Sequence, residues 1–118
     1  MEAFFDKNHH PKIKIQIKGK RQKGILTCLL DSGFDGYLCL PITVAVGLGL
    51  ELINLQEVQY ADGRISQELV FLTTVNFDDK EQEIPVTLTS ATEALVGTSL
   101  LAKKTVTFNF PKNKILIV

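Results

Sequence analysis

Apolar and polar residues alternate strictly in the segment KIKIQIK, residues 12–18. A period of two is typical of a β-strand with one buried face, and here it places Ile13, Ile15 and Ile17 on that face. The segment ILTCLLD follows after GKRQKG, so we predict a hairpin in which ILTCLLD is the returning strand. Because ILTCLLD is apolar almost throughout, we expect both faces of this strand to be covered.

Short extended segments also account for most of the remaining chain. Residues 50–77 predict two strands joined at Ala61-Asp62-Gly63-Arg64, where the Asp-Gly pair is a strong signal of a hairpin turn. Further strands are predicted in three segments, IPVTLTS (84–90), KTVTFNF (104–110) and KILIV (114–118).

Two short helices interrupt the predicted strands. One begins at Pro41 and runs to Gly47, and the other covers residues 98–104 with Thr98 or Ser99 as its N-cap. The apolar strand ILTCLLD ends at a polar turn that contains glycine. A similar order recurs later in the chain, where the strand IPVTLTS is followed by the apolar segment ALVG, which ends at glycine; we call this repetition the echo. Many short strands and this echo predict an all-β fold, a small closed β-barrel with one or two short helices.

The composition fits a single globular domain, residues 1–118, and argues against several functions. Thirteen basic residues balance thirteen acidic ones, so we expect no nucleic-acid partner, since that needs a basic face. No stretch reaches the roughly 18 apolar residues of a membrane span, and the N-terminus shows no signal-peptide pattern. Cys28 and Cys39 lie in apolar segments without a disulfide framework, so we expect reduced thiols and a cytoplasmic protein.

One acid interrupts the apolar segment ILTCLLDSGFDGYLCLP. Asp31 is followed directly by Ser32 and Gly33, and all three residue types are also common in turns. Two interpretations of Asp31 are therefore open, a catalytic carboxylate or an acid buried in a turn. His9 and His10 lack the cysteine or acid pattern of a metal site, so we expect no metal there.

The sequence resembles the retropepsin-like aspartic proteases, the family of the retroviral proteases, over about residues 13–110. The segment IKIQIKGKRQKGILTCLLDSGFDG matches the N-terminal hairpin and the Asp-Ser/Thr-Gly loop of that family. YADGR falls where its flap hairpin belongs, and ALVGTSLLAKKTVTFNF is similar to its second half. The resemblance implies an acid-protease β-barrel and an aspartic endopeptidase that requires no metal and no organic cofactor.

The resemblance also implies roles for individual residues. Asp31 would be the catalytic acid, Ser32 would hydrogen-bond across a dimer, and Gly33 would let the backbone approach the acid closely. The residues implied to contact a peptide or protein substrate are Asp35, Tyr60, Ala61, Asp62 and Gly63. The alternatives are a plain hairpin turn at Asp62-Gly63 and a half-buried strand residue at Tyr60. We expect apolar substrate side chains in the pockets.

Peptide hydrolysis by this route uses two carboxylates that share one proton, and the chain has a single Asp-Ser/Thr-Gly triplet. The resemblance therefore implies a symmetric homodimer in which two Asp31 side chains meet. Asp35 is a rival partner within the chain. The alternative function is a non-catalytic peptide-binding or regulatory domain that keeps the aspartic protease fold.

The chain departs from the retroviral pattern at two places. Thr98 and Ser99 follow Gly97, where retroviral members usually place Arg and then Asn or Asp, so the ion pair of that Arg with Asp35 is absent or replaced. The chain also continues after Phe110 with PKNKILIV, whereas retroviral chains end near that Phe. This extra strand puts the expected dimer geometry in question.

Overall fold

The computed structural model describes residues 2–118, which form ten β-strands and two short helices. In chain order the elements are β1 (Ala3–Phe5), β2 (Pro11–Lys18), β3 (Lys23–Leu30), β4 (Leu38–Pro41), α1 (Ile42–Leu48), β5 (Glu51–Gln59), β6 (Ile65–Phe77), β7 (Lys80–Thr89), β8 (Ala94–Val96), α2 (Thr98–Leu101), β9 (Val106–Asn109) and β10 (Lys114–Ile117). Over this range, no helix has the length and apolar character needed to cross a membrane.

Six of the strands close into a barrel. Their order is β2, β3, β8, β4, β7 and β6, and β6 pairs again with β2. The closing contact is antiparallel and joins residues 16–18 of β2 to residues 74–76 of β6. The predicted all-β closed barrel with two short helices is therefore confirmed. β1 and β5 add to the outside of this barrel, on the first parts of β2 and β6.

The interior of the barrel is filled by branched apolar side chains. Ile13, Ile15 and Ile17 are each at most 2% exposed, so the predicted alternating strand and its buried face are confirmed. They meet equally buried residues from the facing strands, including Val75 of β6 and Val86 of β7. Burial of branched side chains from all sides is what holds a barrel of this size together.

The prediction that both faces of the returning strand are covered is wrong. Cys28 and Leu30 of β3 face the core, but Ile25 on the other face is 73% exposed. β3 therefore alternates like β2, although some of its outward positions also hold apolar residues. Single exposed apolar side chains are tolerated at protein surfaces, so a continuous apolar run overestimates burial.

The two faces of the β2–β3 hairpin can be tested by truncation. We expect Ile15→Ala to lower the free energy of unfolding by about 3 kcal/mol, because it leaves a cavity in the core. Ile25→Ala removes the same atoms from an exposed position, so we expect it to change the free energy of unfolding by less than about 0.5 kcal/mol. Chemical denaturation measures both values, and equal losses would contradict this assignment of the faces.

Both predicted helices are present, with different ends. α1 is shifted by one residue from the prediction and follows Pro41. Its last residue is Leu48, and the C-cap residue Gly49 has a φ of 70°, the left-handed conformation that glycine adopts most easily. α2 is a single turn and ends before the two lysines that the prediction included. Lys104 leaves the helix and pairs with the Asp78 carboxylate in the turn between β6 and β7.

The residues after Phe110 form a hairpin with the strand before them. β9 and β10 pair antiparallel in a separate two-stranded sheet. Phe108 and Phe110 pack on Phe5, with ring centroids 6.0 and 4.7 Å from that of Phe5. β9 pairs with no other strand among residues 2–118, so one of its edges has no strand partner in this range.

The two cysteines are free and buried, in agreement with the prediction. Burial raises the pKa of the Cys28 thiol to about 12. Burial is also the main cause that raises the pKa of Cys39. Both thiols are therefore protonated near neutral pH, which makes them poor nucleophiles and argues against a cysteine protease.

Candidate active site

Asp31 lies directly after β3, at the point where this strand and β8 end side by side. Its backbone N–H donates to the carbonyl oxygen of Val96 in β8 at 2.9 Å, which continues the pairing of the two parallel strands by one residue. The Asp31 side chain is partly exposed, and its Oδ1 accepts the backbone N–H of Gly33 at 2.9 Å. The apolar strand therefore ends in a carboxylate that is held by its own loop and is open to solvent. This contact is an Asx turn, so Asp31 shapes the turn and also presents a partly exposed carboxylate.

The two residues after Asp31 leave this carboxylate accessible. Ser32 and Gly33 are exposed beside it. A Cβ atom on Gly33 would lie 3.2 Å from Asp31 Oδ1, so a side chain there would crowd the carboxylate. Gly33 thus keeps both the N–H that binds Oδ1 and the space around it.

The loop that carries Asp31 is fixed by the segment that follows β8. Three backbone N–H groups of residues 97–99 donate to carbonyl oxygens of residues 34–37, at 3.1, 2.8 and 3.1 Å. The approach is close because Gly97 has no side chain. A Cβ atom on Gly97 would lie 2.2 Å from the carbonyl oxygen of Gly36 and 2.6 Å from that of Phe34. The echo of ALVG with the Asp31 segment therefore corresponds to a physical contact between the two.

The hydroxyl groups of Thr98 and Ser99 bind this loop and do not cap α2. The Ser99 hydroxyl donates to the carbonyl oxygen of Asp35 at 2.5 Å, and the Thr98 hydroxyl donates to that of Phe34 at 3.4 Å. The residue at the N-cap position is Gly97, without a side-chain hydrogen bond, so the N-cap prediction is wrong. Hydrogen bonds to the loop backbone stand where the family pattern has an ion pair with Asp35. The Asp35 side chain is exposed, and no salt bridge involves it in residues 2–118.

The predicted Asp-Gly turn joins β5 and β6 in a long hairpin, residues 51–77. Its tip, residues 60–64, is exposed, and Gly63 adopts a φ of 87°. The Asp62 carboxylate accepts the backbone N–H of Arg64 at 3.0 Å and pairs with its Nε at 2.6 Å. The Arg64 guanidinium lies 5.5 Å from the centre of the Tyr60 ring. The tip is therefore stabilised by its own side chains.

A cleft of about 790 Å³ lies between the long hairpin and residues 34–39, and we call it the hairpin cleft. Of the predicted substrate-contacting residues, Asp35 lines this cleft. Asp31, Ser32 and Gly33 lie outside its lining, at the end of β3, and so do Tyr60, Ala61, Asp62 and Gly63 at the hairpin tip. The structure therefore places Asp35 at the cleft but does not bring the tip onto Asp31 within one chain.

Sequence reasoning missed several residues that line the hairpin cleft. From the long hairpin these include Gln56, Val58, Glu68 and Val70. All four lie on the same face, because Val58 pairs with Ser66, Gln56 with Glu68, and Val70 follows Glu68 by two positions. A count of paired positions outward from the Asp62-Gly63 turn would have identified this face.

The described residues offer no site for a structural or catalytic metal. Residues 2–118 contain no group of three or more His, Cys, Asp or Glu side chains placed to hold one ion. His9 and His10 lie in the turn between β1 and β2, and His10 Nδ1 lies 3.8 Å from Asp6 Oδ2.

The comparisons with known proteins identify the fold. No protein-family model matches the sequence, and no curated protein matches it. The structure is similar to a retropepsin-like aspartic protease from Rickettsia conorii, with a TM-score of 0.67 and 19% identity over 98% of this chain and 86% of that chain. The EIAV protease in complex with the inhibitor HBY-793 gives a TM-score of 0.60 and 14% identity, over 84% of this chain and 91% of that chain. The protease of Simian Foamy Virus (mac) gives a TM-score of 0.54 and 19% identity, over 76% of this chain and 92% of that chain. The chain therefore has the fold of the retropepsin-like aspartic proteases, as its Asp31-Ser32-Gly33 loop and the segment around Gly97 predicted.

Proposed function

We propose that the protein is an aspartic endopeptidase that hydrolyses peptide bonds as a homodimer. The observation that carries the proposal is the position of Asp31, at the end of β3 in a retropepsin-like fold, with an accessible carboxylate on a loop held by residues 97–99. Structural neighbours that share this fold over most of the chain are aspartic proteases, which supports hydrolysis of peptides.

The second carboxylate would come from the partner chain. The segment that echoes the Asp31 loop has Thr98 and Ser99 after its glycine and supplies no acid. Asp35 lines the hairpin cleft and Asp31 does not, which weakens the case for Asp35 as the partner of Asp31 within the chain. The unpaired edge of β9 supports a two-fold contact, because a strand edge can pair with its own copy in an antiparallel sheet.

The chemistry follows from two Asp31 carboxylates that share one proton. The ionised carboxylate takes a proton from a water molecule, and the protonated one donates a hydrogen bond to the carbonyl oxygen of the scissile peptide. The water oxygen then bonds to the carbonyl carbon, the C–N bond breaks, and the leaving amine receives a proton from the dyad. Every atom in this sequence comes from the peptide, one water molecule and the two carboxyl groups.

We also propose that the protein acts in the cytoplasm. The two buried thiols, which are not joined in a disulfide, support a reducing compartment. The proposed mechanism requires neither a metal nor an organic cofactor.

The dimer mechanism predicts a concentration-dependent activity. We expect a peptide library to be cleaved between about pH 4 and 7. Specific activity should fall on dilution, together with the dimer fraction measured by light scattering, because each chain supplies only one half of the dyad. A statine-containing peptide, which mimics the tetrahedral intermediate, should inhibit with one molecule bound per two chains.

Two results would contradict the proposal. A strictly monomeric protein that cleaves peptides would exclude the shared dyad. A protein that binds peptides but cleaves no member of the library would instead fit the alternative, a non-catalytic peptide-binding or regulatory domain that keeps this fold.

A further inference from the structure

The hairpin cleft carries negative charge that no cation in its lining balances. Asp35, Glu57 and Glu68 border the cleft, and no lysine, arginine or histidine of residues 2–118 lines it. At the tip of the long hairpin, Arg64 pairs with Asp62 and does not line the cleft. A ligand in this cleft therefore meets carboxylates without competing ammonium or guanidinium groups.

Glu68 is the carboxylate placed most deeply in the hairpin cleft. It lies on β6 two residues before Val70, which is 6% exposed on the same face. Glu68 itself is half-buried, and its Oε2 accepts a hydrogen bond from the Gln56 amide at 3.3 Å. An amide at this distance stabilises a partly desolvated carboxylate much less than a cation does.

Glu68 shares the lining of the cleft with Cys39 of β4. After burial, which is the main cause, the negative charge of Glu68 contributes to raising the pKa of Cys39 in β4. Cys39 lines the same cleft. Glu68 and Cys39 therefore border the same space that a ligand would occupy.

Apolar side chains form the walls around this carboxylate. Val58 and Val70 line the cleft from the long hairpin, and Tyr37 and Leu88 line it from the other side. A lysine or arginine side chain matches such a site, because its aliphatic part packs on apolar walls while its charged end reaches a carboxylate. A purely apolar side chain would fill the walls but would leave the Glu68 charge unpaired when the cleft loses water.

We propose that the hairpin cleft binds a peptide segment that carries lysine or arginine, and that Glu68 selects this side chain. The proposal rests on the proposed function, which makes this cleft the substrate site next to the Asp31 loop. It changes the expectation of apolar pockets, because the apolar walls hold the stem of a basic residue. Asp35 adds attraction at the rim, where solvent screens it more strongly.

The test compares binding of matched peptides. The probes are fluorescent octapeptides in which one lysine, or its uncharged counterpart norleucine, is moved through each position of a constant sequence. Binding is measured on the Asp31→Asn protein, so that no peptide is consumed. At one or two positions we expect lysine to bind about tenfold more tightly than norleucine, the size of effect that a partly buried ion pair gives.

The variant that tests the selecting residue is Glu68→Gln, which keeps the shape of the side chain and removes its charge. We expect it to reduce the lysine preference to about twofold or less, because only the exposed Asp35 carboxylate remains at the rim. Glu83→Gln is the matched control. It removes the same charge from an exposed position of β7 that does not line the cleft, and it should keep the full preference.

The outcomes separate this proposal from the proposed function. Equal binding of the lysine and norleucine peptides at every position, binding of neither, or an unchanged preference in Glu68→Gln overturns the assignment. If wild type then still cleaves peptides, the endopeptidase proposal stands without it. If wild type cleaves nothing but Glu68 still controls lysine binding, the assignment of the cleft stands and the catalytic proposal fails.

Discussion

Asp31→Asn is expected to reduce peptide cleavage by about 10⁴-fold or more while the protein remains folded. In the homodimer one substitution removes both carboxylates, so the general base and the general acid are lost together. The fold should tolerate the change, because the asparagine Oδ1 can still accept the Gly33 N–H that Asp31 Oδ1 accepts at 2.9 Å. Initial rates on a cleavable peptide, measured at equal dimer fractions, give the size of the loss.

Asp35→Asn is the matched control for that experiment. It makes the same chemical change four residues further along the same loop, at a side chain that lines the hairpin cleft. We expect KM to rise by about tenfold or less with little change in kcat, because Asp35 contacts substrate in the proposal and does not take part in proton transfer. An equal loss for the two variants would show that Asp35, and not a second Asp31, completes the dyad.

The loss of activity in Asp31→Asn can be assigned to the missing carboxylates only if the variant remains folded. Its thermal midpoint should lie within about 2 °C of wild type, because a substitution at a partly exposed position changes the free energy of unfolding by less than about 0.5 kcal/mol. Cleavage that persists in this protein, with the midpoint unchanged, would remove Asp31 from the mechanism and leave the fold as the only link to aspartic proteases.

Local patterns identified the longer strands and the candidate acid, but they missed the short strands β1, β4 and β8. The alternation of Ile13, Ile15 and Ile17 is a property of neighbouring residues, so it identifies both the strand and its buried face. The Asp62-Gly63 turn likewise fixes the long hairpin around it. Asp31 stood out because a single acid ends an apolar strand, and the structure places it where two strands end together.

Contacts between distant segments were not predictable in the same way. The exposure of Ile25 depends on which elements cover β3, and no pattern within β3 reveals that. The hydroxyl of Ser99 looked like a helix cap, but it binds a loop 64 residues earlier in the chain. Its choice of partner depends on how closely the two segments approach, which the tertiary fold sets. The hairpin cleft was missed for the same reason, since its walls come from segments far apart in sequence.

The second large effect is expected at Gly97. Gly97→Ala should lower the free energy of unfolding by about 3 kcal/mol, at the upper end of the cost of overpacking. The new Cβ atom would lie 2.2 Å from the carbonyl oxygen of Gly36 and 2.6 Å from that of Phe34. Both atoms belong to the backbone of the Asp31 loop, so no side-chain rotation relieves the contact and the loop itself must move. The cause is steric, because Gly97 has an extended backbone with a φ of −101° that any residue adopts.

Movement of this loop should affect stability and activity together. The hydrogen bonds from residues 97–99 to residues 34–37 hold the loop, and lengthening them displaces the carboxylate that the dyad needs. We expect the thermal midpoint to fall by about 10 °C for a domain of this size. Peptide cleavage should fall by about 10²-fold even at temperatures where the variant is folded.

Gly24→Ala is the control for the general cost of replacing a glycine in this chain. No atom lies within 4 Å of a Cβ built on Gly24, and its backbone does not have a positive φ. Alanine there is expected to leave the midpoint unchanged or raise it slightly, since it reduces the freedom of the unfolded chain. If Gly97→Ala behaved like Gly24→Ala, the two segments would not be in direct backbone contact. The Asp31 loop would then have to be held by other means, and the echo between the two halves would lose its physical basis.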